Sequence, residues 1–209
     1  MAKQIAGVSE KVLHCARKEF LEKGFLDASL REIAKEAETS TGSIYTRFGD
    51  KEGLFRALVE PFASELKKMF LELQETAHGY AGQAQYRKIS TDSRRSQEKV
   101  LDYIYDHFDA CYLLIQAAHG TEYAGFIDDL AELEEAYTYR YLKHIGNGEF
   151  PSGAVTRDFI HILATAYCEG IFEPVRHRMP REKAKEYIWM FGQYHASGFQ
   201  AIFDTPLGA

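Results

Sequence analysis

The chain has 209 residues, 45% of them hydrophobic, and a formal net charge of −6. That length suffices for one or two domains with a packed core, and the apolar share is ordinary for a globular chain. No apolar run approaches the ~20 residues of a membrane span, and the first residues show no signal-peptide pattern. The three cysteines, Cys15, Cys111 and Cys168, are too few and too far apart for a disulfide frame, so the expectation is a cytoplasmic protein with reduced, buried thiols.

The acidic total conceals an asymmetry. Up to Arg56 there are 10 Lys/Arg against 9 Asp/Glu, a charge of +1, and the remainder has 15 against 22, or −7. A near-neutral head can bind nucleic acid when its basic residues share one face, whereas an acidic body does not wrap DNA.

No stretch alternates like a strand, and helical periodicity recurs instead. From about Ser9 to Gly24, Val12, Leu13, Ala16 and Phe20 share a face, with Ser9 as N-cap and Gly24 as the stop. Ser29-Leu30-Arg31-Glu32 forms a capping box, followed by Leu30, Ile33, Ala34 and Ala37 at amphipathic spacing. Ser40 caps a third helix reaching about Phe48. Asp50 caps a fourth that runs toward Ala77, and Pro61 is expected to bend or break it. The polar stretch from His78 to Glu98 reads as a linker.

Three long helical patterns follow, at about Gln97 to Ala118, Glu122 to Ile145 and Val155 to His177. The segment GNGEFPSG, Gly146 to Gly153, separates the last two, and Pro174 is an expected kink. Pro180 fits the first turn of a final helix over about Arg181 to Phe203. The reading is all-α, with about nine helices. A three-helix bundle over 1–50 carries a helix-turn-helix, and 51–209 forms a larger helical domain.

Two short helices joined by a tight turn, behind a supporting first helix, describe a helix-turn-helix. Ile44 and Phe48, four apart, pack the second short helix onto its neighbours, which leaves Ser40, Thr41, Ser43, Thr46 and Arg47 facing outward. Small hydroxyl residues let a helix approach base edges and offer hydrogen bonds to base or phosphate. Gly42 allows close approach, Arg47 can reach guanine or phosphate, and Lys51 at the next helix start suits a phosphate. Such a helix needs only about two turns to enter a groove.

The stretch Gly24-Phe25, Ser29-Leu30-Arg31-Glu32-Ile33-Ala34, Ala37, Ser40-Thr41-Gly42-Ser43-Ile44-Tyr45 and Phe48-Gly49-Asp50-Lys51-Glu52-Gly53-Leu54 resembles the DNA-binding domain of the tetracycline-repressor (TetR) family. The resemblance covers about 50 residues. It implies that Tyr45 and Lys51 contact phosphate and that Ser29 and Arg31 meet backbone or base. It also implies that Thr41, Gly42, Ser43 and Arg47 line the reading face. For Tyr45 the competing reading is a core tyrosine, and for Arg47 a solvated surface arginine. Two departures, Arg47 in place of the usual aromatic or histidine and Glu38-Thr39 in place of Gly-Val in the turn, are expected to alter operator preference and not fold.

The resemblance further implies a homodimer through the last two helices, a palindromic double-stranded DNA operator and a small-molecule effector held in the helical body. Repression is the usual outcome, with neither cofactor nor membrane involved. Two apolar stripes suit a dimer face, Phe159, Ile162, Leu163, Ala166, Tyr167, Gly170 and Ile171 on one helix and Tyr187, Met190, Phe191, Tyr194, Gly198 and Ile202 on the other. Completing a monomer core would use the same stripes. The ligand-binding candidates are His107, Cys111, Glu134, Tyr137 and Tyr167. His107 and Cys111 have helical spacing for two metal ligands, but two do not close a site and no CxxC or HExxH supports them. An enzyme built on Cys111 or His107, and an interaction module whose head no longer reads DNA, are the alternatives. No nucleophile elbow, P-loop or dinucleotide glycine pattern supports the enzyme.

Overall fold

The computed structural model describes residues 2–78, 86–145 and 156–203, with side chains placed over 7–75, 94–143, 156–199 and 201–202. Among these residues there are helices and no strand: α1 (Ala2–Asp27), α2 (Leu30–Glu36), α3 (Thr41–Phe48), α4 (Lys51–His78), α5 (Tyr86–Asp106), α6 (Phe108–Tyr112), α7 (Phe126–Ile145), α8 (Arg157–Arg176) and α9 (Arg181–Phe203). A π-helical turn, Leu113–Ala117, continues α6. The all-α reading holds. No described helix is long and apolar enough to cross a membrane. The chain divides into two compact units, the first from Met1–Glu65 with His107–Phe126 and the second from Leu66–Asp106 with Ile127–Ala209.

The first unit buries Val12, Ala16 and Phe20 of α1 with Ile33 and Ala34 of α2, Ile44 of α3, and Leu54, Phe55 and Val59 of α4. Each large aliphatic or phenyl group removed from water stabilises by roughly 1.5–3 kcal/mol. Phe20 and Phe25 both meet the Phe55 ring edge-on, at 5.2 and 5.5 Å between centroids. α1 breaks at Gly24, whose φ of 71° and ψ of 174° are not helical, where the sequence placed its stop. Its start is earlier than expected. Ser9 lies inside the helix and is not its cap, because Ala2-Lys3-Gln4 are good helix formers and propagation adds a bond per residue.

The expected capping box is half formed. The Glu32 N–H donates to Ser29 Oγ at 3.4 Å, but the Ser29 N–H donates to Glu19 Oε1 at 3.0 Å and not to Glu32. Glu19 is nonetheless buried. Burial alone would raise its pKa, but the Lys23 ammonium at 2.8 Å and the Ser29 N–H outweigh that and hold it below the usual carboxylate range. At α4 the Asp50 cap is present, with Oδ1 accepting the Gly53 N–H at 2.6 Å. A Cβ at Gly53 would lie 1.9 Å from the Phe48 carbonyl oxygen, so the turn between α3 and α4 demands glycine there.

Four expectations are corrected. Of the two outcomes expected at Pro61, the break does not occur: α4 continues past it, because Phe55, Val59, Phe62, Ala63 and Leu66 are buried on either side and packing outweighs one lost bond. The supposed linker is helical from Tyr86 onward, while 79–85 fall outside the described residues. The single helix read over Gln97 to Ala118 divides at His107 (φ −120°, ψ 37°), since α5 packs into the second unit and α6 into the first. α7 starts at Phe126 and not at Glu122. Residues 119–125 form a loop in which Thr121 Oγ1 donates to the Ala118 carbonyl at 2.7 Å, Arg56 pairs with Glu122 at 2.5 Å, and the Tyr123 hydroxyl donates to Glu60.

In the second unit Leu101, Ile104, Leu130, Leu142, Ile160 and Phe172 are buried. α8 is capped by Thr156, whose Oγ1 accepts the Phe159 N–H at 3.2 Å, and it continues through Pro174 to Arg176. The segment Gly146 to Gly153 lies outside the described residues.

Candidate nucleic-acid interface and a cavity in the helical body

α3 is short because both its ends are fixed. Ser40 Oγ accepts the Ser43 N–H at 3.1 Å, and the Gly49 N–H closes the other end on the Tyr45 carbonyl at 2.9 Å. Ile44 is fully buried and anchors the helix, while Ser40, Gly42, Tyr45 and Thr46 are exposed and Thr41, Ser43, Arg47 and Phe48 half-buried. Tyr45 is 53% exposed, so it is not a core tyrosine. The Thr46 hydroxyl donates to the Gly42 carbonyl at 2.8 Å and keeps its lone pairs for an outside donor.

Arg47 folds back along α3. Its Nη1 donates to the Ser43 carbonyl at 3.1 Å and to the Ser43 hydroxyl, and its Nε is buried with no hydrogen-bond partner among the described residues. It is therefore not a solvated surface arginine, and reaching a base requires it to swing off Ser43. Lys51 is also occupied. Its ammonium donates to the Leu26 and Ala28 carbonyls at 2.9 and 3.0 Å and sits 4.8 Å from the Phe25 ring centroid. It thus binds carbonyls at the end of α1, where a cation is favoured. Ser29 caps α2 and Arg31 is exposed on its first turn.

The turn between α2 and α3 holds a feature that the sequence pattern only hinted at. Glu38 adopts a left-handed φ of 52° and pairs with Lys11 at 2.6 Å. A side chain in that region costs on the order of 1 kcal/mol, which glycine would avoid.

The second unit contains a cavity of ≈ 40 Å³ whose walls include Leu66, Phe70, Leu101, Ile104, Phe172 and Ile188, with Gln97 and Tyr167 as polar members. One water occupies roughly 10–15 Å³ on this measure, so there is room for a slim fragment. Of the five sequence candidates, Tyr167 lines this cavity. Glu134 lies one turn beyond the lining residue Leu130 and accepts a hydrogen bond from Gln74, next to the lining residue Leu73. Burial pushes its carboxyl up to about 7, against the pull of Gln74 and Thr138. Burial first and the Glu134 charge second raise the Tyr167 hydroxyl, which the Gln97 amide partly offsets. Tyr137 lies under the Arg140 guanidinium at 4.4 Å.

His107 and Cys111 belong to the first unit and are not among the residues lining this cavity. His107 is exposed and Cys111 fully buried, so the pair does not present a joint metal-ligand face. Burial pushes the Cys111 thiol far up, which removes the thiolate that a nucleophile needs.

α8 and α9 carry an uncovered apolar face. Ile162 is 61%, Met190 63% and Tyr194 73% exposed, with exposed Ala166, Ser197 and Gly198 on the same helices. The expected stripes thus split. Tyr167, Gly170 and Phe191 pack inward, with Tyr167 stacked on Phe191 at 5.9 Å, Ile171 lines the cavity, Ile202 packs against Leu142 and Ile160, and Ile162, Ala166, Met190, Tyr194 and Gly198 are exposed.

Comparison with known proteins agrees with this geometry. Residues 12–58 match the model of "Bacterial regulatory proteins, tetR family". Over 60 residues the chain is 40% identical to the uncharacterized HTH-type transcriptional regulator YvdT of Bacillus subtilis, covering 29% of this chain and 31% of that one. Over 63 residues it is 35% identical to the HTH-type transcriptional repressor AcnR of Corynebacterium glutamicum, covering 30% and 34%. The match therefore spans about a third of each relative's length. A transcriptional regulator of Aquifex aeolicus shares the fold at a TM-score of 0.59 and 19% identity, over 90% of this chain and 98% of that one.

Proposed function

We propose that the chain, whose residues 12–58 match the tetR family of bacterial regulatory proteins, is a member of that family and a homodimeric repressor that binds an inverted-repeat operator and leaves it when a small molecule binds. The observation that carries this reading is the outward face of α3. A large tyrosine stands half in water beside Gly42 and the hydroxyls of Thr41 and Thr46, on a helix capped at both ends. An ordinary solvated helix face has no use for an exposed tyrosine among such small neighbours. A groove-entering helix does, since the hydroxyl meets a phosphate while the small residues let the backbone approach the bases.

In this reading Tyr45 and Lys51 bind phosphate, Ser29 and Arg31 position α2 on the backbone, and Ser40, Thr41, Gly42, Ser43, Thr46 and Arg47 read the groove. Arg47 exchanges its bonds to Ser43 for a base or phosphate on docking. The exposed face of α8 and α9 pairs with that of a second copy, which sets two α3 helices about one DNA turn apart, roughly 34–36 Å. α4 has residues in both units and is the lever between ligand and DNA. A ligand that prefers another head spacing weakens operator binding by linkage. The protein works in the cytoplasm, and no cofactor enters.

Selection of binding sites from random duplex DNA tests this. The wild type is expected to recover an inverted repeat. Arg47→Ala should lose one base preference within it. Tyr45→Phe should weaken all sites alike, by about tenfold, the loss of one hydrogen bond to a charged group. An enriched sequence without two-fold symmetry would contradict the dimer, and no enrichment at low salt would contradict DNA reading.

A further inference from the structure

We propose that the cavity of the second unit takes a small uncharged hydrocarbon or halocarbon, a molecule of about three or four heavy atoms with no hydrogen-bonding head. The proposal deepens, and for its biological consequence rests on, the reading of the chain as a ligand-released regulator.

The walls set the chemistry. Leu66 of α4, Leu101 of α5, Leu130 of α7, Phe172 of α8 and Ile188 of α9 each present hydrocarbon, so all the long helices of this unit contribute. Among the described residues that line the cavity there is no Lys, Arg, His, Asp or Glu. Two members have polar ends, Gln97 and Tyr167, and these serve each other, since the Gln97 amide donates to the Tyr167 hydroxyl oxygen. The same amide end lies against α9, where a Cβ built at Gly192 would be 3.1 Å from Gln97 Nε2. Cys168 is the remaining member with a heteroatom, and a buried thiol behaves as a small apolar group. A hydroxyl brought in by a ligand would give up its bonds to water without replacement, and a charged head would do so at far greater cost. The walls therefore select against any head, cationic, anionic or neutral.

The space sets the size. Its ≈ 40 Å³ is about three times the 10–15 Å³ that one water needs on this measure, so three or four heavy atoms enter without moving a wall. General looseness does not account for the space, because the packing beside it is tight. A Cβ at Gly170 would lie 2.1 Å from Phe191 Cζ, and that ring stacks at 5.9 Å on Tyr167, itself a wall residue. A ligand that fills the space supplies the dispersion contacts its lining lacks and leaves water in the same step.

Titration of the full chain at pH 7 with n-propyl chloride, n-propanol and n-propylamine tests this, read from the NMR shifts of assigned Leu and Ile methyl groups. The three probes share one carbon chain and differ only in the head. The chloride is expected to shift the Leu101, Ile104 and Ile188 methyls saturably and to bind at least about tenfold more tightly than the alcohol. The amine, charged at this pH, should move none of these methyls. Val100→Phe, which puts a ring into the space, should abolish binding while the helical signal is kept. Leu130→Ala, which enlarges the space, should bind n-hexyl chloride at least about tenfold more tightly than the wild type does. This second variant decides the matter where Val100→Phe does not fold. Equal affinity for chloride and alcohol, wall shifts produced by the amine, or no saturable wall shift from the chloride would overturn the proposal. So would binding that survives in a folded Val100→Phe, or a Leu130→Ala variant that gains nothing for the longer chloride. A DNA titration in parallel separates the two readings. Binding of the chloride that leaves DNA affinity unchanged supports this site and contradicts ligand-controlled release.

Discussion

Arg47, Lys51 and Glu134 show how far a residue's type determines its role. Their positions on helix faces are legible in the sequence, because spacing alone places Arg47 on the outer face of α3 and Lys51 at the start of α4. What they hold is not legible, because their partners are distant or depend on rotamer. Lys51 binds carbonyls of residues 26 and 28, and Arg47 lies along its own helix. Glu134 reads as one acid in the run Glu132-Leu133-Glu134-Glu135, yet burial sets it apart from its neighbour Glu135, which Arg157 holds below the usual range. The folded pKa of Glu134, about 7, lies above its unfolded value of 4.5. Its contribution to stability is therefore fully present below 4.5 and is lost as pH rises through about 7. Glu134→Gln, which carries no charge to desolvate, is expected to be more stable than wild type at pH 8, by up to about 3 kcal/mol at 1.36 kcal/mol per pKa unit. The gain should shrink toward zero at pH 4.5, as read from urea midpoints. A difference that does not change with pH would show that the carboxyl is already ionised in the fold.

At the scale of elements, local chemistry was legible wherever a cap or turn lies within a few residues. Ser29, Ser40, Asp50 and Thr156 each mark a helix start, three of them expected from the sequence and Thr156 one residue past an expected start. The missed boundaries have distant causes. Nothing near His107 breaks a helix, and the division there follows from α5 and α6 packing into different units. Pro61 looks like a breaker, yet the packing around it carries the helix through, whereas Pro174 lies inside α8 two residues before its end at Arg176, close to the expected end. Gly170 is a further case. Inside α8 it looks like a simple loss of helix propensity. A Cβ there would lie 2.1 Å from Phe191 Cζ, and the Phe191 ring is stacked between Tyr167 and Tyr187 at 5.9 and 5.7 Å. Gly170→Ala gains up to about 1 kcal/mol in helix propensity. It costs roughly 1–3 kcal/mol in overpacking, so the melting temperature is expected to fall. Shortening the ring in Gly170→Ala/Phe191→Leu should recover more stability than Phe191→Leu alone predicts. A Gly170→Ala variant that melts higher than wild type would mean the ring moves aside freely.

The whole molecule combines a near-neutral head with an acidic body and an uncovered apolar face on its last two helices. Its class and head were legible because helical period and helix-turn-helix spacing are written in contiguous sequence. The grouping of 107–126 with 1–65 and the cavity were not, since both depend on segments far apart in the chain. Exposed Ile162, Met190 and Tyr194 are costly on a monomer and suit a self-complementary interface. Tyr194→Glu is expected to shift the protein from dimer to monomer in sedimentation while leaving its helical signal intact. A dimer persisting in this variant would place the interface elsewhere.

The most direct measurement is the affinity and stoichiometry of purified protein on a selected inverted repeat, on a single half-site and on random duplex, across salt concentrations. The expected result is two protomers per inverted repeat, bound at least about 10³-fold tighter than random duplex, with log affinity falling linearly with log salt. Tyr194→Glu should bind the inverted repeat no better than the half-site. Equal affinity for all three duplexes at every salt concentration would contradict a dimeric DNA-reading regulator.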